Sequence, residues 1–254
     1  MKEKFTDSGW LLINKPEGIE SFGVIRKLKF RYSFNKIGFV GTLDPLASGL
    51  LLIGINKATK IIPIIHKGDK SYEIEIRFGA TTKTLDSEGR FSKMIPINHN
   101  ISERLMHLKN FIGNYQQKIP DFSAHKSKGK NFYELARKNI IIEQRFKQVS
   151  INSLKVLYSH KSKVGIKIDC QTGFYVRAFA DELANSLGDI AYASFIKRLK
   201  IGTFTLDQAI SYEKILDFSS INDLHSNLIT IWTGRHPGQM KFYFERSIDV
   251  GNTI

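Results

Sequence analysis

Between Lys36 and Lys60 the chain reads KIGFVGTLDPLASGLLLIGINKATK, and its one acidic side chain is Asp44. Glycines and a proline bracket it and aliphatic residues surround it, with no second acid, histidine or cysteine in the stretch to share a proton with it. Whatever Asp44 does, no second acid, histidine or cysteine of this stretch does it too. The competing structural use is an Asp-Pro turn, in which the side chain only helps the backbone reverse. Two other residues could do chemistry. Tyr72 opens the alternating run KSYEIEIRFG from Lys70 to Gly79 and shares a face with Ile74, Ile76 and Phe78, so alone it reads as a packed aromatic. Arg177 ends Gly173-Phe-Tyr-Val-Arg177 at the start of a helical pattern. A cation there faces the positive end of the helix dipole, which is unfavourable unless an anion offsets it.

Other chemistries find no footing. The seven histidines are scattered without metal-ligand spacing, so no metal and no cofactor is expected, and the single cysteine, Cys170, excludes an internal disulfide. Gly41 and Gly49 are not followed by Gly-Lys-Ser/Thr, so a phosphate-binding loop is absent. The apolar runs Leu50 to Ile55 and Ile61 to Ile65 are too short to span a bilayer, and the first ten residues do not resemble a signal peptide. A cytoplasmic location is expected. Lysine and arginine total 38 against 24 acids, a formal charge of +14, which points to a polyanion such as nucleic acid.

The elements that must position these residues follow from periodicity. Gly9 to Asn14 reads as a buried strand ended by the turn Lys15-Pro16-Glu17-Gly18, and a helix after Ser21 places Val24, Ile25 and Leu28 inward with Arg26, Lys27, Lys29 and Arg31 elsewhere. Further strands are expected at Leu50 to Ile53, Lys70 to Gly79 and Val164 to Cys170. Helices are expected at Ser102 to Ile112, from Phe179 to Leu187, and at Ser211 to Phe218. From Gln117 to Lys147, the cations Lys118, Lys126, Lys128, Lys130, Arg137, Lys138, Arg145 and Lys147 are interleaved with Phe122, Phe132, Tyr133 and Phe146. Cations meet phosphates and aromatic faces stack on unpaired bases, so the segment suits an RNA contact. Short connections between the strands favour an α+β fold on a mixed, largely antiparallel sheet flanked by helices.

Gly41-Thr-Leu-Asp-Pro-Leu-Ala-Ser-Gly-Leu-Leu51 resembles the catalytic motif of the TruB family, the bacterial tRNA pseudouridine-55 synthases. Leu12 to Gly18, Lys70 to Gly79, Phe122-Ser-Ala-His-Lys126 with Tyr133 to Arg137, and Gly173 to Arg177 match in the same order. The resemblance implies a pseudouridine synthase fold, with a catalytic domain over residues 1–210, an RNA-gripping insertion at about 117–147, and a short C-terminal remnant, 211–254, in place of a full RNA-binding module. It implies that Asp44 is the nucleophile, that Tyr72 stacks on the target base and that Arg177 pairs with the aspartate. Lys15 and Pro16 would support the loop, Gly41 and Thr42 would belong to it, and Leu199 would wall the pocket. Phe39, Lys126 and Arg137 would contact RNA. The implied partner is the T-arm of tRNA, met by a monomer with no obligate protein partner.

The chemistry then accounts for the lone acid. The N1–C1′ bond of a uridine breaks, the base turns, and C5 joins C1′, with no redox change; one carboxylate suffices, by attack on C6 or on C1′. Among Leu43, Leu46 and Leu199, desolvation opposes the charged form and a cation such as Arg177 favours it. Extracting the base costs a few kcal/mol, which stacking and basic contacts must offset. Two departures stand out: Phe39-Val40 where the family has His-Thr or a similar pair, and Lys83 where it often has an aspartate. Two rival readings remain. One is a guide-dependent synthase of archaeal or eukaryotic type; the other is a non-catalytic tRNA-binding or tRNA-folding protein derived from this fold.

Overall fold

The computed structural model describes residues 3–123, 125–127, 130–138, 140, 143–236 and 239–246. The chain forms two compact units, one from Met1–Gly68 with Arg198–Ile254 and the other from Asp69–Lys197. The fold is α+β, and its sheets are mixed. Glu3–Phe5 pairs with Tyr32–Phe34, and Ile210–Ser211 with Gly9–Lys15, in parallel, while the other ladders described below are antiparallel.

In the first unit, strand Gly9–Lys15 pairs with Ser48–Ile55, which also carries Ile37–Val40. Strand Ser48–Ile55 is aliphatic almost throughout and buried on both faces, as a central strand requires. Trp10, Leu12, Val40, Leu50, Leu52, Ile65, Ile201, Phe204 and Ile229 form its core. Helix Ser21–Arg31 buries Val24, Ile25 and Leu28, as their spacing predicts. The expected helix near Ser211 is Tyr212–Asp217, with the Ser211 hydroxyl capping Lys214. A second short helix follows at Ile221–Ser226, and Ile229 then pairs with Trp10.

In the second unit, Lys163–Cys170 lies antiparallel to Lys70–Phe78, with Ile166 opposite Ile74 and Ile168 opposite Tyr72. Phe146–His160 continues the sheet and pairs in turn with Gly113–Lys118. The last ladder places Phe146 opposite Lys118 and Lys147 opposite Gln117, and the Ile119 amide donates to the Arg145 carbonyl at 2.9 Å just beyond it. Helix Val176–Ser186 buries Phe179, Ala180, Leu183 and Ala184. Each large apolar side chain among them contributes about 1.5–3 kcal/mol.

Three expectations need correction. The helix expected to run to Ile112 is Ile101–Lys109; Asn100 and Glu103 build its capping box, and Gly113, at φ +100, opens the next strand rather than closing the helix. Phe132, grouped with the base-stacking aromatics, is 1% exposed with its ring edge against His125, so it offers bases no face. The alternation of Lys70–Phe78 places Glu75 on a polar face, yet Glu75 is buried. It accepts bonds from Lys163, Tyr158, Ser194 and Arg77 at 2.7–3.0 Å.

Candidate active site

The loop that presents Asp44 is held from beneath by side chains. Asp44 itself begins a turn: its carbonyl accepts the amide of Ala47 at 3.0 Å, with Pro45 at the position where a fixed φ suits such a turn. The Lys15 ammonium, fully buried, donates to the carbonyls of Pro16, Ile19 and Pro45 at 2.8, 2.6 and 3.3 Å. Lys15 thus ties the Pro16–Gly18 turn to the loop, and the amide of Gly18 adds a bond to the Pro45 carbonyl. The Ser21 hydroxyl both donates to the Leu43 carbonyl and accepts the Leu43 amide, each at 2.9 Å.

The far side is closed by Arg198, which is 1% exposed. Its Nε donates to the Leu50 carbonyl at 2.8 Å and its Nη2 to the Gly41 carbonyl at 3.0 Å, so one guanidinium fixes the chain on both sides of Asp44. Two glycines make this possible. Gly41 sits at φ +63, and Gly49 at φ +102 lies so close to Arg198 that an added Cβ would stand 2.3 Å from its carbonyl oxygen. Asp44 and Leu199 are half-buried, Thr42 is exposed, and half-buried Phe39 meets the ring of Phe22 edge-on at 5.0 Å.

Tyr72, Lys126, Arg137 and Arg177 belong to the second unit. Tyr72 is 7% exposed in the strand Lys70–Phe78, as its position on the apolar face predicts. Arg177 is the second residue of helix Val176–Ser186. Its guanidinium donates to the carbonyls of Thr84 and Phe122 at 2.7 and 2.8 Å and lies 3.5 Å from the Asp86 carboxylate. An anion beside a cation at a helix start is what the dipole argument calls for. Asp86 is itself oriented by the Thr84 hydroxyl at 2.5 Å and the Glu88 amide at 3.1 Å. Leu85, between the two groups that hold Arg177, has φ +63, a conformation that costs a bulky residue about 1–3 kcal/mol. The helix start is also tied down by buried Gln117, whose amide group accepts from the Tyr175 amide at 2.7 Å and donates to its carbonyl at 3.1 Å. Lys126 lies in the short strand Lys126–Ser127 and Arg137 ends helix Phe132–Arg137, while Lys128 falls outside the described residues.

A cavity of about 100 Å³ beside Arg177's acceptors is lined by Lys83, Leu85, Lys118, Phe122, Asp181 and Glu182 among others. Burial pushes the carboxyls of Asp181 and Glu182 up, the latter to about 6. Burial likewise raises the Cys170 thiol to about 12, which makes it inert at neutral pH. Among the described residues no cluster of three or more His, Cys, Asp or Glu could hold a metal ion, and no helix is long and apolar enough to cross a membrane.

Sequence reasoning missed Ser21, Asp86 and Arg198. The signal for Asp86 lay in the polar turn Thr82 to Gly89; the other two act on backbone 22 and about 150 residues away, as their partners Leu43, Gly41 and Leu50 show.

Residues 27–176 match the family described as TruB family pseudouridylate synthase, N-terminal domain. A protein named tRNA pseudouridine synthase B from Nitrosococcus oceani is 35% identical over 208 residues, covering 82% of this chain and 68% of its own length. One of the same name from Ureaplasma urealyticum is 37% identical over 219 residues, covering 85% and 96%. Among solved structures, a chain of a Cbf5-Nop10-Gar1 complex aligns over 89% of this chain with a TM-score of 0.65 at 19% identity. A chain of the archaeal box H/ACA sRNP Nop10-Cbf5 complex aligns over 83% with a TM-score of 0.60 at 17% identity. This chain spans 64% and 53% of those two solved chains, and at such identities the likeness concerns the fold.

Proposed function

The chain belongs to the TruB family of pseudouridylate synthases, and from that premise we infer that it is a tRNA pseudouridine synthase, an isomerase, acting on the T-loop uridine at position 55. The observation that carries this reading is a single carboxylate on a turn that Lys15, Ser21 and Arg198 hold in place. Rigid presentation is what a nucleophile needs, because a misplacement of about 1 Å costs roughly a hundredfold in rate.

Asp44 attacks the extracted uridine, the N1–C1′ bond breaks, and the freed base turns. C5 then bonds to C1′, the bond to Asp44 breaks and returns the carboxylate, the C5 proton leaves to solvent and N1 takes one up, so the reaction is balanced without oxidant or metal. Attack at C6 of the base or at C1′ of the ribose uses the same carboxylate. Tyr72 stacks on the target base, Arg177 pairs with the nucleophile, and Leu199 excludes water. Gly41 and Thr42 shape the loop, Lys15 and Pro16 brace it, and Phe39 supports a displaced loop base by stacking. The segment 117–147, with Lys126 and Arg137, grips the T-arm. A charge of +14 supports a polyanionic substrate. We propose that the protein works in the cytoplasm as a monomer, with no obligate protein partner. Incubation with an unmodified tRNA transcript, followed by mapping of the modified base, tests the reading: pseudouridine is expected at position 55, and tight binding without product would favour the non-catalytic tRNA-folding role.

A further inference from the structure

The outer side of helix Ser21–Arg31 differs from an ordinary solvated face. Ser21, Val24, Ile25 and Leu28 point into the unit. On the opposite side Phe22, Arg26 and Phe30 follow one another at a spacing of four, which aligns them on one face. Phe22 is 63% and Phe30 79% exposed. One exposed phenylalanine needs no explanation; two in line with an arginine between them, about 12 Å apart along the axis, form a pattern.

The helix holds Arg26, Lys27, Lys29 and Arg31 and no acid. Flanking Glu20 meets Arg26 at 3.5 Å, but both are largely exposed, and such a pair leaves the cation available to another anion. Arg31 is engaged with the Leu216 carbonyl at 2.8 Å. The stripe also has an origin. The Phe22 ring stands edge-on to Phe39 at 5.0 Å and 80°, and Phe39 lies in the strand Ile37–Val40 that runs directly into Gly41 and the Asp44 loop.

We propose that Phe22, Arg26 and Phe30 form a docking stripe for an unpaired stretch of the same RNA whose uridine enters the Asp44 loop, with bases stacked on the two phenyl rings and a phosphate on the arginine between them. The inference rests on the tRNA synthase reading and adds a contact surface to it. Alternating cations and aromatic faces match the alternating phosphates and bases of a single strand. A lipid surface fits less well, because the broad apolar side of the helix is already buried in the core and only two rings would enter a bilayer.

The test compares binding of an unmodified tRNA transcript to the wild type, to the double variant Phe22→Ala/Phe30→Ala and to Phe22→Tyr/Phe30→Tyr, with pseudouridine formation by the wild type measured in parallel. The alanine pair should lose at least about tenfold in affinity, and the tyrosine pair should stay within about threefold of wild type. A photoreactive phenylalanine analogue at position 30 should cross-link to an unpaired loop nucleotide. Unchanged affinity in the alanine pair, or cross-linking confined to duplex, overturns the stripe while the synthase reading stands on the wild-type product. Phenylalanine-dependent binding without any product has the opposite meaning: the stripe stands and the synthase reading fails. Sedimentation with phosphatidylglycerol vesicles that needs Phe22 and Phe30, alongside unchanged tRNA affinity, would assign the surface to lipid.

Discussion

In the first unit Arg198 donates to the carbonyls of Leu50 and Gly41, whereas in the second Arg177 divides itself between the carbonyls of Thr84 and Phe122 and the carboxylate of Asp86. Both guanidinium groups are nearly out of solvent. The first sets a path for the backbone on either side of Asp44. The second sits in a charge balance as well as a geometry, since the anion beside it also offsets the helix dipole. Buried cations can thus do two separable things, and substitution should tell them apart.

The largest effect is expected at Arg198. Arg198→Met keeps much of the stem volume but leaves buried carbonyls without their donor, at a cost of about 2–4 kcal/mol in unfolding free energy. Single-turnover pseudouridine formation should fall at least about a hundredfold, because the loop loses its fixed ends. A variant as fast as wild type would show that the clamp does not position Asp44.

Asp86→Asn should do less. The amide retains the shape, and its oxygen can still accept from Thr84 and Glu88, so a stability loss of about 1 kcal/mol and a rate loss of about tenfold are expected. If the rate fell as far as in Arg198→Met, Asp86 would be doing more than holding Arg177.

The remaining effects, on stability and not on rate, are the pH dependences of two glutamates in the second unit. Burial opposes ionisation of Glu75, but bonds from Lys163, Ser194, Arg77 and Tyr158 outweigh it and bring its pKa from 4.5 down to about 2. Its contribution is therefore present above pH 4.5 and disappears as the pH falls toward 2. Burial shifts Glu182 the other way, from 4.5 up to about 6, so its contribution is present below 4.5 and lost as the pH rises through 6. In urea melts, Glu75→Gln should be less stable than wild type by about 2 kcal/mol at pH 7 and indistinguishable near pH 2. Glu182→Gln should gain up to about 1 kcal/mol at neutral pH and nothing below pH 4. Parallel profiles for the two variants would refute these assignments.

The same comparison shows what the sequence could reveal. Asp44, Tyr72 and Arg177 can be proposed from the sequence because each stands in a short ordered motif, and the strands Gly9–Lys15, Lys70–Phe78 and Lys163–Cys170 are legible because their apolar spacing is intact. Arg198 and Ser21 are not, since a side chain that bonds a distant carbonyl leaves no local pattern. Strand Phe146–His160 escaped for another reason. Irregularities between Ile151 and Ser153 and between Val156 and Tyr158 break its alternation, and most of its residues lie at the surface. The spacing shows helix Ile101–Lys109 but overruns its end, because Gly113 resembles a helix stop and serves as a strand start.

The central claim is that Asp44 is the nucleophile of a uridine isomerisation, and the most direct measurement is release of tritium from C5 of uridine in a labelled, unmodified tRNA transcript. Every pseudouridine formed must lose its C5 hydrogen. The wild type should release the label from position 55, and Asp44→Asn, which keeps the turn but removes the charge, should release at least about a thousandfold less while still binding the transcript. Release by Asp44→Asn at a rate near that of the wild type would contradict the account.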